Sequence, residues 1–433
     1  ILTQELKIIV RHDRWLYFFE GKIYQQCSSA AEILPKLREL CENAAYAWAR
    51  FRCDSATPHQ VLAHVEQIAP EYDYPLDISN YVVFNNCVLN FATGLSENFV
   101  PGRFITNMVT VDWIPEAKEC SVFDSIISTY TQGDPVLTER LLQALGLCLT
   151  NDSVKRFICF LGITNSGKTF LVSLLLNMLN DESIAMMQPN DFSQRFAGGM
   201  IYGKNICACM DMDAAPLNTR AAAFVKQVSG GDTIGAEFKY ENGLVMFRSR
   251  AHMILCSNFN IVPEVEDIAF EGRKLVIPFR YRLTDDAIPF EQLMQSLEQE
   301  KPAIVQKLIQ AYLRLKAETY VFSGTGSWFD SYKPPQFTSP GASASLHQYV
   351  FQFYDVTGNQ EDYVFAEDLY NAYAQYQAVH FEGLHYFSSP DSFYKAFREA
   401  YPLLQSDRKR RQSNANPQSC YLGIRRKGSE SII

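Results

Sequence analysis

Gly162-Ile-Thr-Asn-Ser-Gly167-Lys168-Thr169 fits the pattern G-x-x-x-x-G-K-[ST] at every fixed position. The spacing has a chemical reason. Two glycines let the backbone wrap closely enough for its N–H groups to face phosphate oxygens. Lys168 brings a point charge to the β- and γ-phosphates, and the Thr169 hydroxyl can hold Mg²⁺. Phe157-Ile-Cys-Phe-Leu161 before the loop is a short apolar run that reads as a buried parallel strand. Phe170 to Leu179 after it is apolar on nearly all sides and reads as a buried helix. Strand, loop and helix together predict a nucleoside triphosphate site made by Gly162, Thr164, Asn165, Ser166, Gly167, Lys168, Thr169 and Phe170, with ATP and Mg²⁺ as cofactors. The bland alternative is a glycine turn between two core elements.

Downstream, Asn205-Ile-Cys-Ala-Cys-Met210 is a β-type apolar run that leads into Asp211-Met-Asp213. A carboxylate at the tip of a strand beside a phosphate loop is what Mg²⁺ and an attacking water need. Asp211 ends the run directly and is assigned to the metal with Thr169. Asp213 is the alternative, or the partner that polarises water. The D-x-D spacing also fits the paired metal-binding acids of primases and polymerases, but the phosphate loop already gives the pair a role. Farther on, Glu241-Asn242-Gly243 between alternating residues predicts a hairpin, with Lys239 and Tyr240 close to its tip. A cation beside an aromatic at an exposed tip suits a nucleic-acid backbone; an ordinary solvated hairpin is the alternative. Met253-Ile-Leu-Cys-Ser257-Asn258 reads as another buried strand, whose terminal Asn258 can sense a γ-phosphate. Arg273 stands just before the apolar run that reaches Phe279, where an arginine finger can serve a neighbouring subunit.

Composition limits the remaining choices. The chain has 433 residues, enough for two to four domains, and is 47% hydrophobic and 20% charged, as a soluble globular protein is. No apolar run approaches a membrane span and no signal peptide opens the chain. Because the first residue is Ile1 rather than Met, we expect a segment, such as a primase domain, to precede it. The eleven cysteines are scattered without a C-x-x-C pair, which argues against a disulfide framework or zinc site and for a reducing, cytoplasmic compartment. The net charge of −9 excludes a uniformly basic coat but not a local basic patch.

Residues 1–150 read as a mainly helical collar or oligomerisation domain with a small β insertion, 151–285 as the NTPase core and 286–322 as a helical bundle. Gly, Ser and Pro then mark a linker over 323–343. In 344–433, three helices (Ser345 to Val356, Ala366 to Gln377, Ser392 to Ala400) precede a basic hairpin carrying Arg408, Lys409, Arg410, Arg411, Arg425, Arg426 and Lys427. That arrangement suggests a winged-helix-like DNA-binding domain; a basic tail is the alternative.

The order of phosphate loop, Asp-ended strand, Gly-Gly-Asp…Lys hairpin segment, Ser-Asn strand and Arg…Ile-Pro-Phe resembles superfamily 3 helicases. It looks most like the helicase half of phage, plasmid and poxvirus-type primase-helicases. The resemblance covers about residues 80–320. It implies an α/β fold with an AAA+ P-loop core, and a hexameric ring that unwinds DNA during replication of a phage, virus or mobile element. One strand would lie in the channel and duplex at a fork or origin. It also implies Lys168 and Thr169 on phosphate and Mg²⁺, Asp211 on the metal, Asn258 as sensor, Arg273 as finger, and Lys239 with Tyr240 on the translocating hairpin. Two features depart from the family pattern: Met212 separates the acids, and Gly272 and Lys274 flank a single arginine. A P-loop switch or defence and assembly ATPase without helicase activity is the competing reading.

Overall fold

A computed structural model describes residues 7–27, 29–47, 56–239, 243–281, 283, 288–334, 346, 349–350, 353–380, 387, 389–402, 404–411 and 415–427. The chain divides into two compact units, Ile1–Pro335 and Gln336–Ile433.

The first unit is built on a five-stranded parallel sheet. Its spatial order is Lys274–Phe279, Phe157–Gly162, His252–Ser257, Ile206–Met212 and Ile184–Met186. Every residue of the first three strands is buried, as expected where helices cover both faces of a parallel sheet. Successive side chains point to opposite faces, so each strand feeds two cores. Ile158, Phe160, Ile254 and Ile277 join one, with helices Ser121–Thr131, Pro135–Cys148 and Lys301–Ala317. Phe157, Cys159, Leu255 and Val276 join the other, with helix Thr219–Gly230. Cys207 is one of these core residues; burial pushes its thiol up to about 12, which makes it inert.

The N-terminal part contains helices Ala30–Ala47 and Thr57–Ile68. One antiparallel sheet is formed by Ile9–His12, Trp15–Phe19 and Tyr24–Cys27, and a second by Tyr81–Val83, Val88–Asn90 and Leu95–Glu97. Among the described residues, no helix is long and apolar enough to cross a membrane.

The stretch from Ser323, read as the start of a linker, is packed onto the first unit through residue 334. Phe322 and Phe329 are buried in its main core. Arg140 explains why. It lies inside helix Pro135–Cys148, which Asp134 caps by accepting from the Val136 and Leu137 N–H groups at 2.9 and 3.0 Å. The Arg140 side chain is 1% exposed. It donates to the Val276 carbonyl at 3.0 Å, to the Ser323 carbonyl at 3.1 Å, and to the Asp330 carboxylate. One guanidinium thus ties the helix, the edge strand and the 323–330 segment together.

In the second unit, helices Ala366–His380 and Pro390–Ala400 pack on a sheet ordered Tyr363–Phe365, Gln418–Leu422, Gln405–Lys409. Arg408 and Lys409 lie on the antiparallel pair Gln405–Lys409 and Gln418–Leu422, whereas Arg425 and Arg426 lie on a separate strand, Ile424–Arg426. The helix expected over 345–356 is not helical at its end: Tyr354–Val356 is a strand paired with Ile424–Arg426. Tertiary pairing there overrides a local helical spacing.

Replacing Arg140 by Met should lower stability by about 1–3 kcal/mol, because the Val276 and Ser323 carbonyls lose the guanidinium while Asp330, partly exposed, keeps the Gly326 N–H. Urea unfolding checks this; a change within experimental error would show that the staple is dispensable.

Candidate functional site

The Gly162–Thr169 loop leaves the sheet where Gly162 pairs with Phe279 and Leu161 with Ser257. Its two glycines are required for different reasons. A Cβ on Gly162 would collide with the Phe279 carbonyl, and one on Gly167 would collide with the Tyr130 ring. Gly167 also has φ +87°, and the preceding turn holds Asn165 at φ 57°. Helix Lys168–Leu176 starts at Gly167 with no side-chain cap. Its first N–H groups are left to the adjacent cavity, the arrangement that suits an anion.

That cavity, of about 560 Å³, is lined by Thr164, Lys168, Thr169, Asp211 and Asn258 on its polar side. Lys168 is 8% exposed. Its three N–H groups face four neutral oxygens: the Gly162 and Ile163 carbonyls at 3.0 and 2.7 Å, Ser166 Oγ at 3.1 Å and Asn258 Oδ1 at 2.8 Å. Burial pushes its amine down to about 8, with Asp211 acting in the opposite direction. Ser257, one residue before Asn258, donates to the Met212 carbonyl at 3.0 Å. This links the strand that ends beside Asn258 to the strand that carries Asp211.

Asp211 lies inside strand Ile206–Met212, one residue earlier relative to its end than the sequence suggested, and its exposed carboxylate faces the cavity. Asp213 is outside the lining and accepts from the Ala215 N–H at 3.1 Å, closing its own turn. Among the described residues no three His, Cys, Asp or Glu side chains gather as a cation cage. Mg²⁺ does not need one, since it is commonly held by one or two protein oxygens plus phosphates and water. Thr169 and Asp211 on one cavity wall suit that donor set.

The opposite side of the cavity is apolar: Phe170, Leu283, Ile288, Phe290 and Leu293, with Tyr130 beside the loop. Phe170 and Phe290 meet edge to face at 5.7 Å. The Leu283 N–H donates to the Asn165 carbonyl at 2.8 Å. Of these residues only Phe170 was legible in the sequence. Ile288 and Phe290 are large apolar residues exposed at 58% and 49%, a signal that appears only once the fold is known.

Other candidate residues are not brought to the loop. Arg273 precedes strand Lys274–Phe279, at the end of the sheet opposite the loop. Its guanidinium donates to the Lys226 carbonyl of the same chain. The hairpin is formed by Thr233–Ala236 and Val245–Arg248. In the connection between them, Phe238 packs on Trp15 and Tyr202 at 4.9 and 5.7 Å. Lys239 is exposed in that connection, whereas Tyr240 and Asn242 lie outside the described residues. In the second unit, Lys409 lies over the Tyr363 ring at 4.0 Å and Arg411 over Phe365 at 4.3 Å. Arg425 lies 3.8 Å from Asp355, while Arg408, Arg410, Arg426 and Lys427 are exposed.

Residues 160–273 match a family of unknown function (DUF5906), a span that holds the loop, Asp211, Asn258 and Arg273. No curated protein matches the chain. Among solved structures it is similar to the A form apo structure of the NrS-1 C-terminal region, at 11% identity and a TM-score of 0.45, over 96% of this chain and 95% of that one. Two structures of NrS-1 residues 305–718 give 10% and 9% identity, each with a TM-score of 0.44. Both cover 96% of this chain, and 96% and 95% of theirs.

Gly167→Ala should destabilise the chain, and removing the ring with Tyr130→Ala should relieve part of that cost. The double-mutant cycle is expected to show coupling of about 0.5–3 kcal/mol, the remainder being the strain of a positive φ. Strict additivity in chemical denaturation would show that Tyr130 does not press on the loop.

Proposed function

We propose that this chain is an ATP-driven DNA motor, a helicase of the superfamily 3 type. The observation that carries the reading is the buried Lys168 ammonium hydrogen-bonded to Asn258 within the cavity that Thr169 and Asp211 line. ATP would lie with its phosphates on the Gly162–Thr169 backbone and its base against Phe170 and Phe290. Mg²⁺ would be held by Thr169 and Asp211, and when bound it neutralises charge on the phosphate oxygens. Lys168 exchanges loop carbonyls for phosphate oxygens as ATP binds. Asn258 loses that partner at the same moment, which frees its side chain to meet the γ-phosphate or the attacking water. Asp213 is the second carboxylate available to orient that water.

Arg273 is remote from its own loop, where a residue that completes a neighbour's site belongs, so the active assembly is a ring, a hexamer by resemblance. Lys239 and Tyr240 would meet the strand in its channel, and the 344–433 domain, winged-helix-like, would hold duplex through Arg408 to Arg411 and Arg425 to Lys427. Residues 1–150 would form the collar of the ring, 151–285 its AAA+ core and 286–322 the bundle beside it. Replication of a phage, virus or mobile element in a cytoplasm, with a primase domain or partner, is the setting the resemblance implies. A P-loop switch without helicase activity is the second reading. The anchoring of Phe238 on Trp15 and Tyr202 favours it, since a held connection travels less. Strand displacement on a forked substrate separates the two.

Lys168→Ala should abolish ATP hydrolysis; retained turnover in purified protein would sink the assignment. The pH dependence has a definite sign. With the Lys168 amine held near 8 in the free chain, ATP binding must take up a proton above that pH. Affinity for a fluorescent ATP analogue should therefore be flat just below pH 8 and fall by up to about tenfold per unit above it. An equal affinity at pH 7.5 and 9.5 would contradict a phosphate–Lys168 contact.

Arg273→Ala should bind ATP yet hydrolyse it poorly, as should Asp211→Ala. Mixing the two variants should restore part of the turnover at interfaces where one subunit supplies the arginine and the other the carboxylate. No gain at any mixing ratio removes the support for a shared site.

A further inference from the structure

A second cavity, of about 650 Å³, shares no lining residue with the first. It opens at the root of the hairpin, between Met246–Arg250 on one wall and the His12-Asp13 turn with Asp73–Leu76 on the other. Its cations are set up in advance. The Arg250 guanidinium lies over the Tyr74 ring, 3.1 Å from its centroid. Tyr74 is itself held by Thr106 at 3.2 Å and by the rings of His12 and Phe104. Arg248 stands exposed at the last position of the hairpin, paired with Thr233.

The acids of the cleft are already used as acceptors inside the protein. Asp13 accepts from the Tyr202 hydroxyl, and Asp73 from the Tyr74 N–H at 2.7 Å. Lys204 is likewise engaged, donating to the Glu182 carbonyl at 2.7 Å. Arg248, Arg250 and Lys204 stand against Asp13 and Asp73, so the cleft lining holds more cations than acids. Beside them Leu76 is fully exposed and Met246 more than half exposed. Large apolar side chains bordering a cationic cleft mark a binding surface rather than a solvated one.

Cations that meet phosphates, alternating with apolar and aromatic groups that meet bases, are the composition of a single-strand groove. Position supports the same chemistry. Arg248 is at the root of the hairpin and Lys239 lies beyond Ala236 in its connection, so a strand following the hairpin would meet a cation at each end. We infer that this cleft is a binding site for single-stranded nucleic acid, with Arg248 and Arg250 on phosphate oxygens and Leu76 and Met246 against bases. The inference rests on the nucleic-acid half of the proposed function and is independent of its ATPase half.

The test is fluorescence anisotropy of a labelled oligo-dT with the intact chain, across a salt series and without nucleotide. Arg248→Ala and Leu76→Glu change exposed positions, and unchanged melting temperatures identify the variants to be compared. Each should bind about tenfold more weakly. Arg248→Ala should also reduce the salt slope by about 0.7, the value for one phosphate of a single strand that is no longer neutralised. If the unmodified chain binds no oligonucleotide, the nucleic-acid reading falls and the cleft with it. If that chain binds and both variants match it in affinity and slope, the cleft serves another ligand, such as a protein segment, and only this inference is overturned. Should Arg248→Ala melt early, Leu76→Glu decides by affinity alone.

Discussion

A buried ammonium whose hydrogen-bond partners are all neutral is the constraint on which the candidate site depends. Lys168 is held by two carbonyls, a hydroxyl and an amide oxygen, none of which cancels its charge. Burying a cation in this way costs free energy, and the downward shift of its amine expresses that cost. An anion entering the cavity removes it. The uncapped start of helix Lys168–Leu176 adds backbone donors aimed at the same space. The loop is therefore organised for negative charge before any ligand arrives.

The parallel sheet supplies what surrounds that charge. Strand Phe157–Gly162 lies between Lys274–Phe279 and His252–Ser257, with Ile206–Met212 next beyond. All run in one direction, so the loop, Asn258 and Asp211 emerge at one edge, where open α/β sheets hold ligands. Arg273 begins a strand of the same sheet and so falls at the opposite edge. Ser257 bridges two of the strands through the Met212 carbonyl. The hairpin leaves helix Thr219–Gly230 on the other face and rests on the N-terminal sheet through Phe238, Trp15 and Tyr202.

What the sequence disclosed and what it withheld divide along the range of the interactions. The loop, Asp211 and Asn258 were legible because each lies in a short motif whose spacing carries the chemistry. The buried strands were legible because both faces are apolar. Tyr130, Leu283, Ile288 and Phe290 were not, since they reach the cavity from elements far away in sequence and carry no local signature. The Asn-Gly signal predicted the hairpin but not the packing of Phe238 on Trp15 and Tyr202, which are distant in sequence. Ser323 to Ser327 looked like linker by composition, yet a buried Arg140 on a helix nearly two hundred residues earlier fixes it in place. The end of the 345–356 segment became a strand because Ile424–Arg426 offered it a partner.

The most direct measurement is phosphate release from ATP by the purified chain as single-stranded DNA is titrated in. A DNA-driven motor should hydrolyse ATP slowly alone and faster, to a saturating level, with DNA, and Asn258→Ala should lose that stimulation while still binding ATP. Turnover that is absent, or that is identical at every DNA concentration, would contradict the account.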